Sequence, residues 1–415
     1  TTNDQTTFII IISKVYGLSL SSSDVSKYVT PNQPAYYNLS VTNTGNTADN
    51  AIIGIVNAPA GWTVLPTSNP VALNPSETKA FQVLVTAPNT VLAGTQVQIS
   101  VNATSSGNAS IVRALSINAV VNQVYDPRVT PLTNSMVISP GSSGTFKINV
   151  TNQGNGNDTV DMSLTGVPTG QGWVYNFNPV SVMLTPGQTK TVDVTFTIGS
   201  KAAYGDNQLE IIGTSHGTTT TGTTTIVVSV SQYYDLAMVP VGASTLRVDP
   251  GGSVTFNFTV TNTGNGPDDY TFSSMRLDTA WVSYFSKTTI YNLPANASDT
   301  TMLTVEVPSA TNSGTYRFDV KTVSAGNSSV FRTVFNLTII VNQLFAVDVE
   351  PASLYYSGDP GVGVVIDLTV TNTGSGTDNV SMAIPGQYAN WVTFNVTTVM
   401  LGPGASTIVA ATVTP

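Results

Sequence analysis

A five-residue turn is written four times along this chain, and no other feature limits the fold so tightly. Thr42-Asn43-Thr44-Gly45-Asn46 returns as Thr151-Asn152-Gln153-Gly154-Asn155, Thr261-Asn262-Thr263-Gly264-Asn265 and Thr371-Asn372-Thr373-Gly374-Ser375. The intervals between first residues are 109, 110 and 110. Three alternating apolar residues lead into each copy: Tyr37/Leu39/Val41, Phe146/Ile148/Val150, Phe256/Phe258/Val260 and Ile366/Leu368/Val370. Period-2 alternation that ends at an Asn/Gly pair predicts a half-buried strand running into a tight turn. Gly45, Gly154, Gly264 and Gly374 are expected to supply a positive φ there, and the neighbouring Asn side chains to bond back to the turn's own amides. A β module of about 110 residues is therefore the repeating unit.

The repeat predicts a division into modules at 16–124, 125–232, 233–343 and 344–415, the last without its final two strands. Residues 1–15 begin no module. Thr7 to Tyr16 lines up with 116–125 and 225–234, the last strands of modules one and two, so it reads as the last strand of a preceding module. Two explanations of these ragged ends stay open. Neighbouring modules once completed both, or the apolar strand Phe8 to Ile12 of one subunit completes module four of the next. In module one, strands are expected near 16–21, 25–29, 35–42, 50–57, 61–66, 70–73, 78–86, 95–104 and 110–121, with no helical period anywhere. Short strands with turn signals every eight to twelve residues predict tandem immunoglobulin-like β-sandwiches, an all-β fold class.

Composition narrows the partners. Only 9% of residues are charged, against about 25% in an ordinary soluble domain, so hydroxyls and amides carry the surface polarity. A net charge of −9 with 14 Lys and Arg argues against nucleic acid and anionic membranes. With no cysteine the chain has neither disulfides nor thiolate metal sites. The run Phe8 to Ile12 is too short to span a bilayer, so direct membrane insertion of this segment is not expected.

Each module holds one tryptophan. Trp62, Trp173, Trp281 and Trp391 follow the turn glycine by 17, 19, 17 and 17 residues. An exposed Trp serves as a stacking platform for sugars, but a repeat-equivalent one reads as core, so all four are expected between the two sheets. Module ends run on as Lys14-Val15-Tyr16, Gln123-Val124-Tyr125, Gln232-Tyr233-Tyr234 and Gln343-Leu344-Phe345 without a Gly/Ser or Pro-rich linker. A connection of nearly zero length predicts a stiff rod of pinned neighbours. The same apolar pairs can instead start the next module's own core.

Chemistry has little to work with. The single histidine, His216, sits in a Thr-rich hairpin without a repeat equivalent and reads as a solvated turn residue. No thiol nucleophile, phosphate-binding Gly-rich loop or Ser beside a base is present, so no enzyme is expected. Calcium is the one cofactor left open: Asp49, Asp158, Asp268, Asp269 and Asp378 follow the four turns, and carboxylates at loop ends can hold Ca²⁺. Turns also favour Asx for backbone reasons. Eleven Asn-x-Ser/Thr sequons occur, including Asn38, Asn102, Asn108, Asn257, Asn327 and Asn395. Asn108 and Asn327 occupy repeat-equivalent hairpin tips, where a glycan is sterically free.

Together, the Pro-Gly turn, the Val-Thr-Asn-x-Gly-Asn strand end, the Asx pair and the following Gly/Ala-x-Trp resemble the CARDB-like and α-galactosidase-associated immunoglobulin-like repeats of archaeal and bacterial surface proteins. Gln153, Ser375 and the longer turn-to-Trp interval of module two depart from that pattern. The resemblance implies extracellular spacer or stalk units with no catalytic residue. The expectation is a segment of a surface-layer or filament subunit that contacts other copies of itself, other surface proteins or glycans; the alternative is an adhesin or polysaccharide-binding stalk attached to an enzyme.

Overall fold

The computed structural model describes residues 3–415. Module one contains nine strands: β1 (Leu18–Ser22), β2 (Ser26–Val29), β3 (Ala35–Asn43), β4 (Asp49–Val56), β5 (Thr63–Pro66), β6 (Val71–Leu73), β7 (Thr78–Thr86), β8 (Gln96–Ser105) and β9 (Val112–Val121). They lie within two residues of the positions expected from sequence. Alternation decides the faces: Tyr37, Leu39 and Val41 of β3 are buried while their neighbours Tyr36 and Asn38 are exposed.

Two sheets result, one in the order β1-β3-β7-β5 and one in the order β2-β9-β8-β4-β6. All their pairings are antiparallel except β2 with β9, which run parallel from Ser26↔Asn118 to Val29↔Val121. This is the immunoglobulin-like sandwich, with Leu39, Val41, Phe81 and Val83 from one sheet meeting Ile53, Ile99, Val101 and Ile117 from the other. Tyr37 crosses the core, and its hydroxyl donates to the Asn118 carbonyl at 2.7 Å.

Modules two and three repeat both sheets in the same strand order. Module four has the four-stranded sheet, but its second sheet consists of two strands, Asp378–Ser381 and Thr398–Leu401. Apart from a single 3-10 turn at Ala389–Trp391 the described residues are strand and loop. Charge-poor surfaces are kept polar by cross-strand hydroxyl pairs. The same pair recurs in every module: Thr42/Thr78 at 2.8 Å, Thr151/Thr189 at 2.8 Å, Thr261/Ser298 at 2.7 Å and Thr371/Ser406 at 2.8 Å.

The chain forms two compact units, one reaching to Ser200 with Asp206–Ser229, the other comprising Lys201–Gly205 and Val230–Pro415. Three expectations need correction. Phe8 to Ile12 form no strand and are exposed, because among the described residues no strand lies beside them to share a ladder. Only Trp281 is buried, at 7% exposure, stacked 4.7 Å from Tyr316. Trp62 and Trp173 are half-buried at the sandwich edge, and Trp391 is 43% exposed. Trp391 rests on Tyr388, since module four has no strand to place the counterpart of Tyr316 over it.

The third correction concerns the turn glycines. None of Gly45, Gly154, Gly264 and Gly374 has a positive φ. Their need for glycine is steric: a Cβ would strike the carbonyl oxygen of Val15, Val124, Tyr233 or Leu344 in the segment leading into the module. The turn is bare so that this segment can pass against it.

Candidate functional site

That close approach defines the most elaborate repeated polar site of the molecule. Its base is the first Asn of each turn. Asn43, Asn152, Asn262 and Asn372 are fully or almost fully buried at the end of their strands. Each accepts from the glycine amide two residues on, at 2.8–2.9 Å, and donates to a carbonyl four residues on, at 2.8 Å. The expected back-bonding is thus present in all four copies and locks the turn.

The last residue of each turn faces away from its own module. Within the first unit, Asn155 is 7% exposed. Its Nδ2 donates to the carbonyls of Val91 (3.2 Å) and Asn122 (3.0 Å), and its Oδ1 accepts from the Val124 amide at 2.7 Å. Its backbone joins in, the Ala93 amide donating to Asn155 O at 2.9 Å and Asn155 N to Val124 O at 3.3 Å. Gln123 completes the clasp by donating to Asn157 O at 2.8 Å. Gly156 is bare for the same reason as Gly154, a Cβ there coming within 3.0 Å of both Ala93 and the Gln123 side chain.

Module four carries the same clasp with a shorter side chain. The Leu344 amide donates to Ser375 Oγ at 2.8 Å, the Ser375 hydroxyl donates to Asn342 O at 3.2 Å, and the Ser313 amide donates to Ser375 O at 2.6 Å. Gln343 again reaches a carbonyl, that of Thr377, at 2.8 Å. Asn265, also in the second unit, donates to Ala202 O and Ser231 O at 3.0 Å each and accepts from the Tyr233 amide at 2.7 Å. Asn46 holds the entering segment alone, through Ser13 O (3.0 Å) and the Val15 amide (2.8 Å), and is exposed. Sequence reasoning missed these reaching side chains. Their signals were present: an amide or hydroxyl at the turn's last position every time, and Gln at three of the four junctions.

The acids behind the turns serve their own modules. Asp49, Asp158 and Asp268 are buried, and each accepts from a hairpin serine: Ser105 at 2.5 Å, Ser215 at 2.6 Å and Ser324 at 2.5 Å. Burial raises the pKa of Asp49, but the hydroxyls of Ser105 and Ser106 and the Gly107 amide outweigh it and hold the carboxyl below the usual range. Asp269 accepts from the Asn292 amide at 2.6 Å, and Asp378 is half-buried without a serine partner. Among the described residues no three His, Cys, Asp or Glu side chains come together.

Asn108 and Asn327 lie exposed at their hairpin tips, and Asn38, Asn257 and Asn395 are exposed on or beside strands. Asn102 is half-buried at the middle of β8, opposite Gly54. His216 is exposed on its turn, its Nδ1 2.8 Å from Asp161 Oδ2. No described helix is long and apolar enough to cross a membrane.

Residues 29–106 and 138–212 match the model of the NPCBM-associated, NEW3 domain of alpha-galactosidase. Among solved structures the chain is similar to protocadherin gammaB7 EC3-6, at 13% identity and TM-score 0.44 over 93% of this chain and 92% of that one. It is also similar to the Escherichia coli adhesin FdeC, at 15% identity and TM-score 0.28 over 80% and 100%, and to titin domains I67-I69, at 13% identity and TM-score 0.32 over 79% and 98%. No curated protein sequence matches the chain. The two matched stretches, which lie in the chain's first two repeats, are thus similar to the α-galactosidase-associated immunoglobulin-like domains that the turn and tryptophan pattern resembles.

Proposed function

We propose that this chain is a structural, non-enzymatic segment of a cell-surface protein, a surface-layer or extracellular filament subunit that spans distance through modules stapled end to end. One observation carries the reading: the reaching side chain of the turn, Asn155 in one unit and Ser375 in the other, bonds the entering segment and the preceding module at once. A flexible array needs no such clasp, and a linker of Gly and Ser would suffice. The single histidine, meanwhile, is paired with Asp161 on an exposed turn. Glycans at the exposed Asn108 and Asn327 tips would leave the clasps untouched.

Pairs of introduced cysteines provide the test, since the chain has none of its own. Labels on Ser19→Cys and Ser163→Cys should report a single narrow distance between modules one and two by electron paramagnetic resonance. A distribution as broad as that of two domains on a flexible tether would overturn the spacer reading.

A further inference from the structure

Module three departs from its siblings on one face, and the departure has four parts that meet. Position 276 requires a left-handed backbone. Module one places Asn57 there (φ 63°) and module two Gly166 (φ 87°), residues suited to it, but module three places Arg276 at φ 63°. An arginine held in this region is strained, which local structure alone gives no reason to accept.

Opposite it, the strand Phe331–Val341 carries an extra residue: the register passes from Phe318↔Leu337 to Val320↔Val334, so Phe335 and Asn336 face the single residue Asp319. At this bulge Asp319, which alternates with the core residues Phe318 and Val320, is covered to 3% exposure, and there it accepts from the Asn336 amide at 2.9 Å and from the Arg276 guanidinium. Burial raises the Asp319 pKa, yet the guanidinium and the amide outweigh it and keep the carboxylate ionised.

The same bulge throws Phe335 outward to 66% exposure. Phe331, 45% exposed, lies four residues earlier on that strand, about 13 Å away along it. Between them, on the neighbouring strand, Lys321 pairs with Thr333 and lays its ammonium 4.3 Å from the Phe331 ring centroid. Lys321 and the exposed Arg317 make no ion pair among the described residues. Module one presents Ser100, Asn102 and Thr104 on the corresponding strand, with Gly54 and Ser116 beside them and no charge. In a chain of net charge −9 with 14 basic residues, three of those bases share this face with two partly exposed rings.

We propose that this face of module three binds an acidic polysaccharide, the Phe331 and Phe335 rings taking the apolar faces of sugars and Arg276, Lys321 and Arg317 their carboxylates. Guanidinium and ammonium groups suit a polyanion. The rings are separated by Thr333 and Lys321, which leaves no contiguous apolar patch for the dry centre of a protein interface. Asp319 acts as a positioning residue, fixing the Arg276 fork so that its remaining N–H groups point to solvent. This site goes beyond the spacer reading and does not depend on it.

The experiment is affinity electrophoresis and calorimetry of the whole chain with polygalacturonate and alginate, and with neutral dextran as control. Expected are binding to both acidic polymers, none to dextran, and loss of binding as ionic strength rises from about 0.02 to about 0.5 M. The double variant Arg276→Asn/Asp319→Ser restores the residues of module one, so it should fold, shown by an unchanged circular dichroism spectrum, and bind about tenfold more weakly or worse. Phe335→Ser/Lys321→Ser should behave likewise. Failure of wild-type protein to bind either polymer, equal retention by dextran, or undiminished binding by both variants would each refute the proposal. It would also fall if wild-type protein self-associates in the ultracentrifuge and the variants do not, because the face would then serve a second copy.

Discussion

Replacing Asn155 by alanine should uncouple modules one and two, and the structure sets the size of the effect. Three side-chain hydrogen bonds disappear, to Val91 O, Asn122 O and the Val124 amide, while the two backbone bonds to Ala93 and Val124 remain. At a net worth of about 1 kcal/mol each, the loss is about 3 kcal/mol, falling toward about 1.5 kcal/mol where water reaches the freed carbonyls. Asn155→Ser supplies an internal standard, since Ser375 makes the equivalent amide and carbonyl bonds in module four and forgoes only the third. It should therefore cost about 1 kcal/mol. Each module carries its own tryptophan, so urea unfolding followed by fluorescence in versions keeping only Trp62 or only Trp173 reports each module separately. Both reporters should move to lower urea in Asn155→Ala, because the lost bonds join the two. The reasoning fails if the change is below about 0.5 kcal/mol, if only the Trp173 reporter moves, or if serine is as damaging as alanine.

Gly154→Ala should destabilise the same junction more than Gly187→Ala, although only Gly187 has a positive φ: Gly187 has open space around it, whereas a Cβ on Gly154 meets fixed backbone. Calorimetry would show about 1 kcal/mol for Gly187→Ala, and an equal or smaller effect at Gly154 would contradict the steric account. Trp281→Ala should cost about 3–5 kcal/mol, but Trp391→Ala only about 1 kcal/mol because that ring is already partly in water, a contrast readable from denaturant midpoints. Burial pushes the Tyr37 hydroxyl up to about 12. The stability this adds is complete below the unfolded pKa of about 10 and declines as pH rises through 12. Tyr37→Phe should flatten that alkaline decline, and an unchanged pH profile would exclude Tyr37 as its source.

Much of this molecule is written locally. Alternation in Tyr37/Leu39/Val41 and its three copies fixes which face of each strand is apolar, and an Asn two residues before a Gly fixes how the strand stops, because both depend on groups within a few residues of one another. The nine strands of module one, the sandwich class and the repeat could therefore be read in order along the chain. The role of the turn glycine could not. A glycine looks the same in sequence whether it frees a backbone angle or clears a path, and only the folded chain shows the Val124 carbonyl lying where a Cβ would be.

Tertiary structure decided the rest wherever partners are distant in sequence. Asn155 meets Val91 and Asn122 from 64 and 33 residues away, Asp49 meets Ser105 from 56, and Arg276 meets Asp319 from 43. Trp391 carries the same local signature as Trp281 yet is exposed, because the burial of Trp281 depends on a ring distant in sequence, Tyr316, that module three sets against it. Sequence determined each residue's local geometry and its donors and acceptors. Which of those groups meet was settled by the packing of sheets and junctions, since a hydrogen bond depends on distance in space and not along the chain.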